Sequence, residues 1–207
     1  MISELSQLDL KAKYTYADYL NWKFEEMVEL IRGRVYKMSP APNLEHQRVA
    51  SRLQGFIFQR LNGGPCEVFS APFDVRLPLP PGKVKNDKID TVVQPDLCVV
   101  CDPAKLDTHG CLGAPDWVIE ILSPATSRKD ITEKFDVYQH AGVREYWIVH
   151  PFEQTVLVYV LNAGGVFEGR QRPYVRGELV PSTIFPGWEV DLGIVFPEPG
   201  GHSPSGV

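Results

Sequence analysis

The segment Trp117-Val118-Ile119-Glu120-Ile121-Leu122 decides the fold of this chain. Five of its six residues are apolar, a pattern typical of a strand in the centre of a sheet, where both faces are buried. Glu120 interrupts the run, and a carboxylate is costly to bury unless it is paired. The segment therefore predicts a central strand that carries a polar site into the core.

Strand and helix patterns alternate on both sides of this segment. A strand is predicted over residues 92–100 before it, and a helix over residues 128–140 after it, with Gly142 as the C-cap. The other predicted elements are a short helix (16–24), a hairpin turning at Gly33, a helix (43–61) capped by Asn43, short strands (67–71, 73–77 and 146–149), an outer hairpin (155–167) and loops at 78–90 and 101–115. This order predicts an α/β fold in which helices flank a mixed central sheet.

The composition is that of an ordinary globular protein. Hydrophobic residues make up 43% of the 207 and charged residues 23%, which excludes wholesale disorder and a coiled coil. The net charge of −5 at pH 7 excludes a polycation that binds nucleic acid through charge alone, although not a local basic groove. Four cysteines are too few for a disulfide scaffold. The start of the chain lacks a signal-peptide pattern, so we expect a soluble, cytoplasmic protein with no membrane contact.

The pattern contains no internal repeat and no linker that would split the core. We therefore expect a single domain over residues 1–196. Residues 197–207 are rich in glycine, proline and serine, and we expect this tail to be disordered.

Two acids at the ends of apolar strands form the main candidate site. Asp96 directly precedes the apolar run Leu97-Cys98-Val99-Val100, and Glu120 lies within its own apolar strand. Two carboxylates on neighbouring strands can converge on a divalent cation that prefers oxygen ligands. The alternative is structural, since either acid could instead pair with an arginine or cap a turn.

Lys134 is the second candidate. In the predicted helix, Ile131, Phe135 and Tyr138 define the core-facing stripe, and Lys134 falls on that same stripe. A lysine at such a position extends its ammonium to solvent, pairs with an acid or serves a site. Glu29 shares the Ile31 side of its strand, where an exposed strand glutamate is the better interpretation from the residues alone.

Weaker patterns have structural explanations that compete with the functional ones. His46 lies in the first turn of its helix, where a capping role competes with metal ligation. Asp74 fits a half-exposed strand. Strand alternation directs Cys98 and Cys101 to opposite faces, which argues against a zinc site that these two cysteines would share. The superficial zinc set to which they belong consists of Cys98, Cys101, His109 and Cys111. The loop at 78–90 is basic, and its lysines either lie in solvent or contact phosphates. These lysines are Lys83, Lys85 and Lys88.

Several motifs occur together between about residues 15 and 195. They are Glu29-Leu30-Ile31-x-Gly33, Ser39-Pro40-x-Pro42-x-x-Glu45-His46, Pro95-Asp96-Leu97, Glu120-Ile121-Leu122-Ser123-Pro124-x-Thr126 and Gly142-Val143-x-Glu145-Tyr146-Trp147-Ile148-Val149-x-Pro151. With this set the chain resembles the Uma-type endonucleases, which are placed in the restriction-endonuclease-like PD-(D/E)XK superfamily. The resemblance implies a restriction-endonuclease-like fold over nearly the whole chain.

The resemblance also implies roles for individual residues. Asp96 matches the aspartate of the PD element and Glu120 the acid of the (D/E)XK element, with Ile121 offering its main-chain carbonyl to the metal. Glu29 matches an auxiliary acid on an early element. Leu122 occupies the position of the usual lysine, so the resemblance implies that Lys134 supplies the ammonium from the following helix.

The implied activity is hydrolysis of nucleic-acid phosphodiester bonds, with DNA as the expected substrate and Mg²⁺ or Mn²⁺ as the cofactor. A homodimer is a further expectation, since cutting two strands takes two active sites. The sequence departs from its relatives at His150 and Arg32, which leaves substrate preference open.

Two other functions stay open from the sequence. The chain could be a non-catalytic nucleic-acid-binding or oligomerising domain that retains the nuclease fold, since Leu122 replaces the lysine and the net charge is negative. A phosphoesterase acting on a small nucleotide would share the same site and differ only in substrate.

Overall fold

The computed structural model describes residues 2–38, 43–82, 84–123 and 130–196. In this part of the chain, no helix has the length and apolar character needed to cross a membrane. The predicted single domain over residues 1–196 stays a prediction. Several features predicted from the sequence lie outside the described residues: the tail at 197–207, Lys83, the helix start at Arg128, and motif residues Ser39, Pro40, Pro42, Pro124 and Thr126.

The described residues form strands and helices that alternate along the chain. The strands are β1 (Val28–Ile31), β2 (Arg34–Lys37), β3 (Glu67–Ser70), β4 (Val75–Arg76), β5 (Val92–Val93), β6 (Leu97–Val100), β7 (Leu106–Asp107), β8 (Gly110–Leu112), β9 (Trp117–Ile121), β10 (Glu145–His150), β11 (Thr155–Leu161), β12 (Phe167–Gly169), β13 (Tyr174–Val175), β14 (Leu179–Pro181) and β15 (Glu189–Asp191). The α-helices are α1 (Tyr16–Tyr19), α2 (Leu44–Leu61), α3 (Phe135–Ala141) and α4 (Leu192–Val195). A π-helical turn, Asp130–Lys134, leads into α3, and short 3-10 turns occur at Leu5–Gln7, Asn86–Lys88 and Pro103–Lys105.

Two large sheets organise these strands. The seven-stranded sheet has the order β12-β11-β10-β9-β6-β3, with β13 also paired to β11. Its β9–β10 pair is parallel and its other pairs are antiparallel, so the predicted mixed central sheet with β9 inside it is confirmed. The six-stranded sheet has the order β2-β1-β5-β4-β8-β7. The remaining pair, β14 and β15, is antiparallel.

The alternation of side chains along β9 separates two hydrophobic cores. Trp117, Ile119 and Ile121 pack with the buried face of α2 and with α4. Val118 of β9 and Leu122, the residue directly after this strand, pack on the opposite side, with α3 and with residues of the six-stranded sheet. Because successive strand residues point to opposite faces, Glu120 is directed toward the α3 side.

Local signals place most of these elements correctly. The β1–β2 hairpin turns at Gly33, whose φ of 80° is a conformation that glycine adopts without strain. The Asn43 side chain accepts a hydrogen bond from the main-chain N–H of His46, as an N-cap of α2 should. Gly142, with a φ of 88°, ends α3 as predicted.

The strand predicted over residues 92–100 is wrong as a single strand. It forms β5 and β6, which belong to different sheets. Pro95 lies between them and has no N–H to donate to a sheet, so the chain crosses there from one sheet to the other. At this crossing, the main-chain N–H of Gln94 donates to a side chain, to Glu29 Oε1 at 2.9 Å.

The structure also corrects two predictions at the edges of the core. The predicted loop at 101–115 contains the β7–β8 hairpin, in which Gly110 approaches the main chain of Asp74 so closely that a Cβ would meet its carbonyl oxygen at 2.2 Å. The predicted helix at 16–24 ends after Tyr19, and Trp22 forms a bridge with Ile2 instead of continuing the helix.

The four cysteines do not form the superficial zinc set. Cys66 and Cys101 form a disulfide. The β3–β6 register pairs Glu67 with Val100, so its continuation by one residue places Cys66 opposite Cys101. Cys98 and Cys111 are buried free thiols. Burial raises the pKa of Cys98 and raises that of Cys111 to about 12, so both thiols stay protonated at neutral pH.

Candidate functional site

A buried ammonium between two carboxylates forms the centre of the candidate site. Lys134 Nζ lies 2.9 Å from Glu29 Oε1 and 2.9 Å from Glu120 Oε1. The Tyr138 hydroxyl donates to the same Glu120 oxygen at 2.6 Å. Glu29, Glu120 and Lys134 are only 0%, 2% and 3% exposed, so these contacts are made without competition from bulk water.

Three different elements supply these charges. Glu120 comes from the α3 side of β9, Lys134 ends the π-helical turn before α3, and Glu29 comes from β1 in the second sheet. Lys134 is buried, as its place on the core-facing stripe predicts, and the alternative in which its ammonium extends to solvent is wrong. The exposed position expected for Glu29 is also wrong, because β1 is covered and Gln94 donates to its carboxylate.

The position of the usual lysine is buried in an apolar part of the core. Leu122 is 4% exposed and packs in the core between β9 and α3. An ammonium at that position would be surrounded by apolar side chains. The chain instead brings Lys134 to Glu120 from the neighbouring helical segment.

Burial controls the protonation of the phenol in this cluster. Desolvation, followed by the negative charge of Glu120, raises the pKa of Tyr138 well above its ordinary value. The hydroxyl therefore keeps its proton over the physiological range and remains a donor to Glu120. Tyr138 was predicted only as a core residue, and its inward helical position was the available signal.

Asp96 lies at the adjoining strand end and is the more accessible acid. Its Oδ2 accepts from the main-chain N–H of Ile121 at 2.7 Å. The β6–β9 register pairs Leu97 with Ile119, and its continuation by one residue places Asp96 opposite Glu120. The side chain of Asp96 is 24% exposed, which leaves room for a ligand from solvent.

His46 contacts the same carboxylate. Its Nε2 lies 3.2 Å from Asp96 Oδ1, and its side chain is 9% exposed. Asn43 fixes the first turn of α2, so that His46 shares the buried face of the helix with Val49 and Leu53. The sequence left capping and ligation open for this histidine, and neither option included a contact with Asp96.

The donor set of this site fits a hard cation better than zinc. Within the described residues, no group of three or more histidine, cysteine, aspartate or glutamate side chains is gathered for a metal ion. Asp96 and Glu120 could supply two carboxylates, and the Ile121 carbonyl is the adjacent main-chain oxygen. Mg²⁺ is commonly held by one or two carboxylates, with water filling its other positions.

The two residues that depart from the family pattern lie outside this cluster. Arg32, in the β1–β2 turn, forms an ion pair with Asp136 on α3. His150 ends β10, and its Nδ1 lies 3.8 Å from Glu153. Lys85 and Lys88 of the basic loop are exposed, Lys85 just before the 3-10 turn and Lys88 at its end.

Comparison with a solved structure agrees with this fold. The structure superposes on the crystal structure of "a putative nuclease belonging to DUF820" from Anabaena variabilis ATCC 29413, with a TM-score of 0.66 and 23% sequence identity. The match covers 88% of this chain and 97% of the other. The fold is therefore the restriction-endonuclease-like α/β fold that the sequence predicts.

The sequence comparisons give the family. Residues 16–193 match the model of the Uma2 family, described as "Putative restriction endonuclease", and the chain belongs to this family. It is also 26% identical, over 156 residues, to "Uncharacterized protein slr1290" from Synechocystis sp., covering 74% of this chain and 77% of that protein. The predicted family is thereby confirmed, and a nuclease-like function is the one that the family and fold support.

Proposed function

We propose that this protein is a metal-dependent endonuclease that hydrolyses phosphodiester bonds in DNA with Mg²⁺ or Mn²⁺. The observation that carries the proposal is the Lys134 ammonium at 2.9 Å from both Glu29 and Glu120, beside the partly exposed Asp96 carboxylate. The family description as a restriction endonuclease favours DNA over RNA as substrate.

Each side chain has a distinct role in the proposed reaction. Asp96, Glu120 and the Ile121 carbonyl would hold the metal ion, which when bound supplies charge neutralisation at phosphate and a lowered pKa of water. Lys134 would orient the attacking water and stabilise the negative charge that develops on the phosphate. Glu29 fixes the position of Lys134, and His46 fixes that of Asp96.

The test is cleavage of supercoiled plasmid by the purified protein in Mg²⁺, Mn²⁺ or EDTA. We expect cleavage only with metal, and loss of cleavage in Glu120→Gln and Asp96→Asn, because each loses a charged ligand oxygen. Glu153→Gln is the matched control, since this glutamate side chain is 66% exposed on the surface. Circular dichroism establishes that each variant is folded. Cleavage at the wild-type rate by either site variant would exclude this assignment.

A non-catalytic nucleic-acid-binding or oligomerising domain is the alternative. It is favoured by the contacts of Glu120, whose Oε1 already accepts from Lys134 and Tyr138. This alternative predicts DNA binding that needs no metal and leads to no cleavage. For the endonuclease, we also propose a homodimer, because two active sites would cut the two strands of DNA. We further propose a cytoplasmic location.

A further inference from the structure

A cavity of about 430 Å³ opens between α1, the segment before β4 and the β7–β8 hairpin. Its walls combine aromatic, acidic and polar side chains, which include Tyr16, Phe73, Asp74, Asp107, Thr108 and His109. Its size lies in the range of small-molecule sites, and none of these residues belongs to the proposed metal site.

A chain of hydrogen bonds joins the cavity to the proposed catalytic cluster. Asp74 Oδ1 accepts from Gln94 Nε2 at 2.8 Å, and the main-chain N–H of Gln94 donates to Glu29 Oε1 at 2.9 Å. Glu29 in turn contacts Lys134. Gln94 therefore links the cavity wall to the cluster. Asp96 follows Gln94 by two residues, which is at most about 7 Å along the chain. A DNA strand with a phosphate at Asp96 would therefore pass close to the cavity.

The cavity offers an acceptor at its wall. Both hydrogen bonds that the Asp74 carboxylate accepts within the described residues, from Gln94 and from the Tyr19 hydroxyl, end on Oδ1. This leaves Oδ2 available to a donor from a ligand. Desolvation raises the pKa of Asp74 despite these two bonds, which means that the carboxylate is under-solvated where it stands.

The chemistry of the walls selects the ligand. Asp74 repels a phosphate group, so the backbone of a nucleic acid is a poor occupant beside it. The charge of Asp107 is paired with Arg76 at 2.6 Å. The planar face of a base can pack on an aromatic side chain, as bases do in single-strand binding proteins. Phe73 is the aromatic side chain available for this, since it is partly exposed in the wall and, among the residues that the structure describes, is stacked on Phe69 on one side only, whereas Tyr16 is buried. A carboxylate accepts from an exocyclic amino group, as it does from N4 of cytosine.

We propose that this cavity binds one unstacked nucleobase that carries an exocyclic amino group, next to the cleaved phosphate. The inference rests on the proposed function, because it assigns a base subsite to the same active site. Cytosine offers Asp74 an amino group, whereas thymine presents a carbonyl oxygen at the same ring position.

The test is binding of fluorescein-labelled decamers of deoxycytidine and of thymidine to the full chain, measured by fluorescence anisotropy in EDTA and again in CaCl₂. We expect the deoxycytidine decamer to bind roughly tenfold more tightly, the lower end of the discrimination that a good base contact gives. Asp74→Asn removes the charged acceptor and is expected to reduce this ratio toward one. Thr108→Trp fills the cavity from its exposed rim and should do the same if Asp74→Asn is poorly folded. Ser51→Trp, on the exposed face of α2, is the control and should keep the ratio.

The outcomes separate this inference from the proposed function. Equal affinities for the two decamers, or a ratio that survives both cavity variants, would overturn the base subsite, while plasmid cleavage that needs Glu120 would keep the endonuclease. A protein that binds neither decamer and cleaves no plasmid would overturn both. A ratio lost in the cavity variants and kept in Ser51→Trp supports the subsite.

Discussion

Replacing Lys134 with methionine tests the charge balance of the buried cluster. The substitution keeps a long side chain but removes the ammonium that lies 2.9 Å from both Glu29 and Glu120, at sites that are 3% exposed or less. Breaking a buried ion pair by removing one partner costs about 3–5 kcal/mol, because the remaining charge is uncompensated. For a chain of this length, each 1 kcal/mol lowers Tm by about 2–4 °C, so we expect a decrease of roughly 6–20 °C.

The assay compares thermal and urea unfolding of four proteins by circular dichroism. Glu29→Gln is the matched single variant, since it leaves the ammonium paired with Glu120, and we expect it to lose less stability than Lys134→Met. The double variant, Lys134→Met with Glu29→Gln, should recover part of the loss, because only one buried carboxylate remains. A Lys134→Met protein with the wild-type midpoint, or strictly additive losses in the double variant, would refute the reasoning.

Two further predictions concern the disulfide and the cavity acid. Reduction of Cys66–Cys101, which closes a 35-residue separation, should lower the free energy of unfolding by about 3–4 kcal/mol in the chain-entropy model. Urea titrations with and without dithiothreitol measure this, thiol counting establishes the reduction, and an unchanged midpoint would contradict it. Burial raises the pKa of Asp74 in the folded protein above 3.8, its ordinary value in an unfolded chain. The stability associated with the protonated carboxyl is therefore complete below pH 3.8 and is lost as the pH rises through the raised pKa. The free energy of unfolding of Asp74→Asn should therefore rise relative to that of the wild type between pH 3.8 and neutral pH. If the two proteins differ by the same amount at pH 3.8 and at neutral pH, the raised pKa of Asp74 does not affect stability.

The features that the sequence predicted correctly depend on local physics. The apolar run around Glu120 identifies β9, because a strand buried on both faces has few polar residues. Asn43 and Gly142 mark helix ends through their own backbone and side-chain preferences. The inward position of Lys134 follows from helical spacing, which is also local.

The features that the sequence did not predict depend on contacts between distant segments. Glu29 is buried because β5 and the residues after it cover β1, and nothing within β1 encodes that cover. The Cys66–Cys101 pairing needs the register of β3 against β6. The contact of His46 with Asp96 needs the docking of α2 on the seven-stranded sheet. The role proposed for Glu29 came from the family resemblance, since the residues alone placed this side chain in solvent.

The origin of Glu29 and Glu120 on different sheets affects how this chain can evolve. Neither sheet alone holds a balanced set of charges, since both acids share the ammonium of Lys134. A single substitution that removes Lys134 would take the ammonium away from two buried carboxylates and give a less stable protein. Its joint loss with Glu29 would leave one such carboxylate. A descendant under no selection for catalysis would therefore still be held near the ancestral sequence by its own folding. Persistence of these charges through evolution would then reflect stability as well as activity.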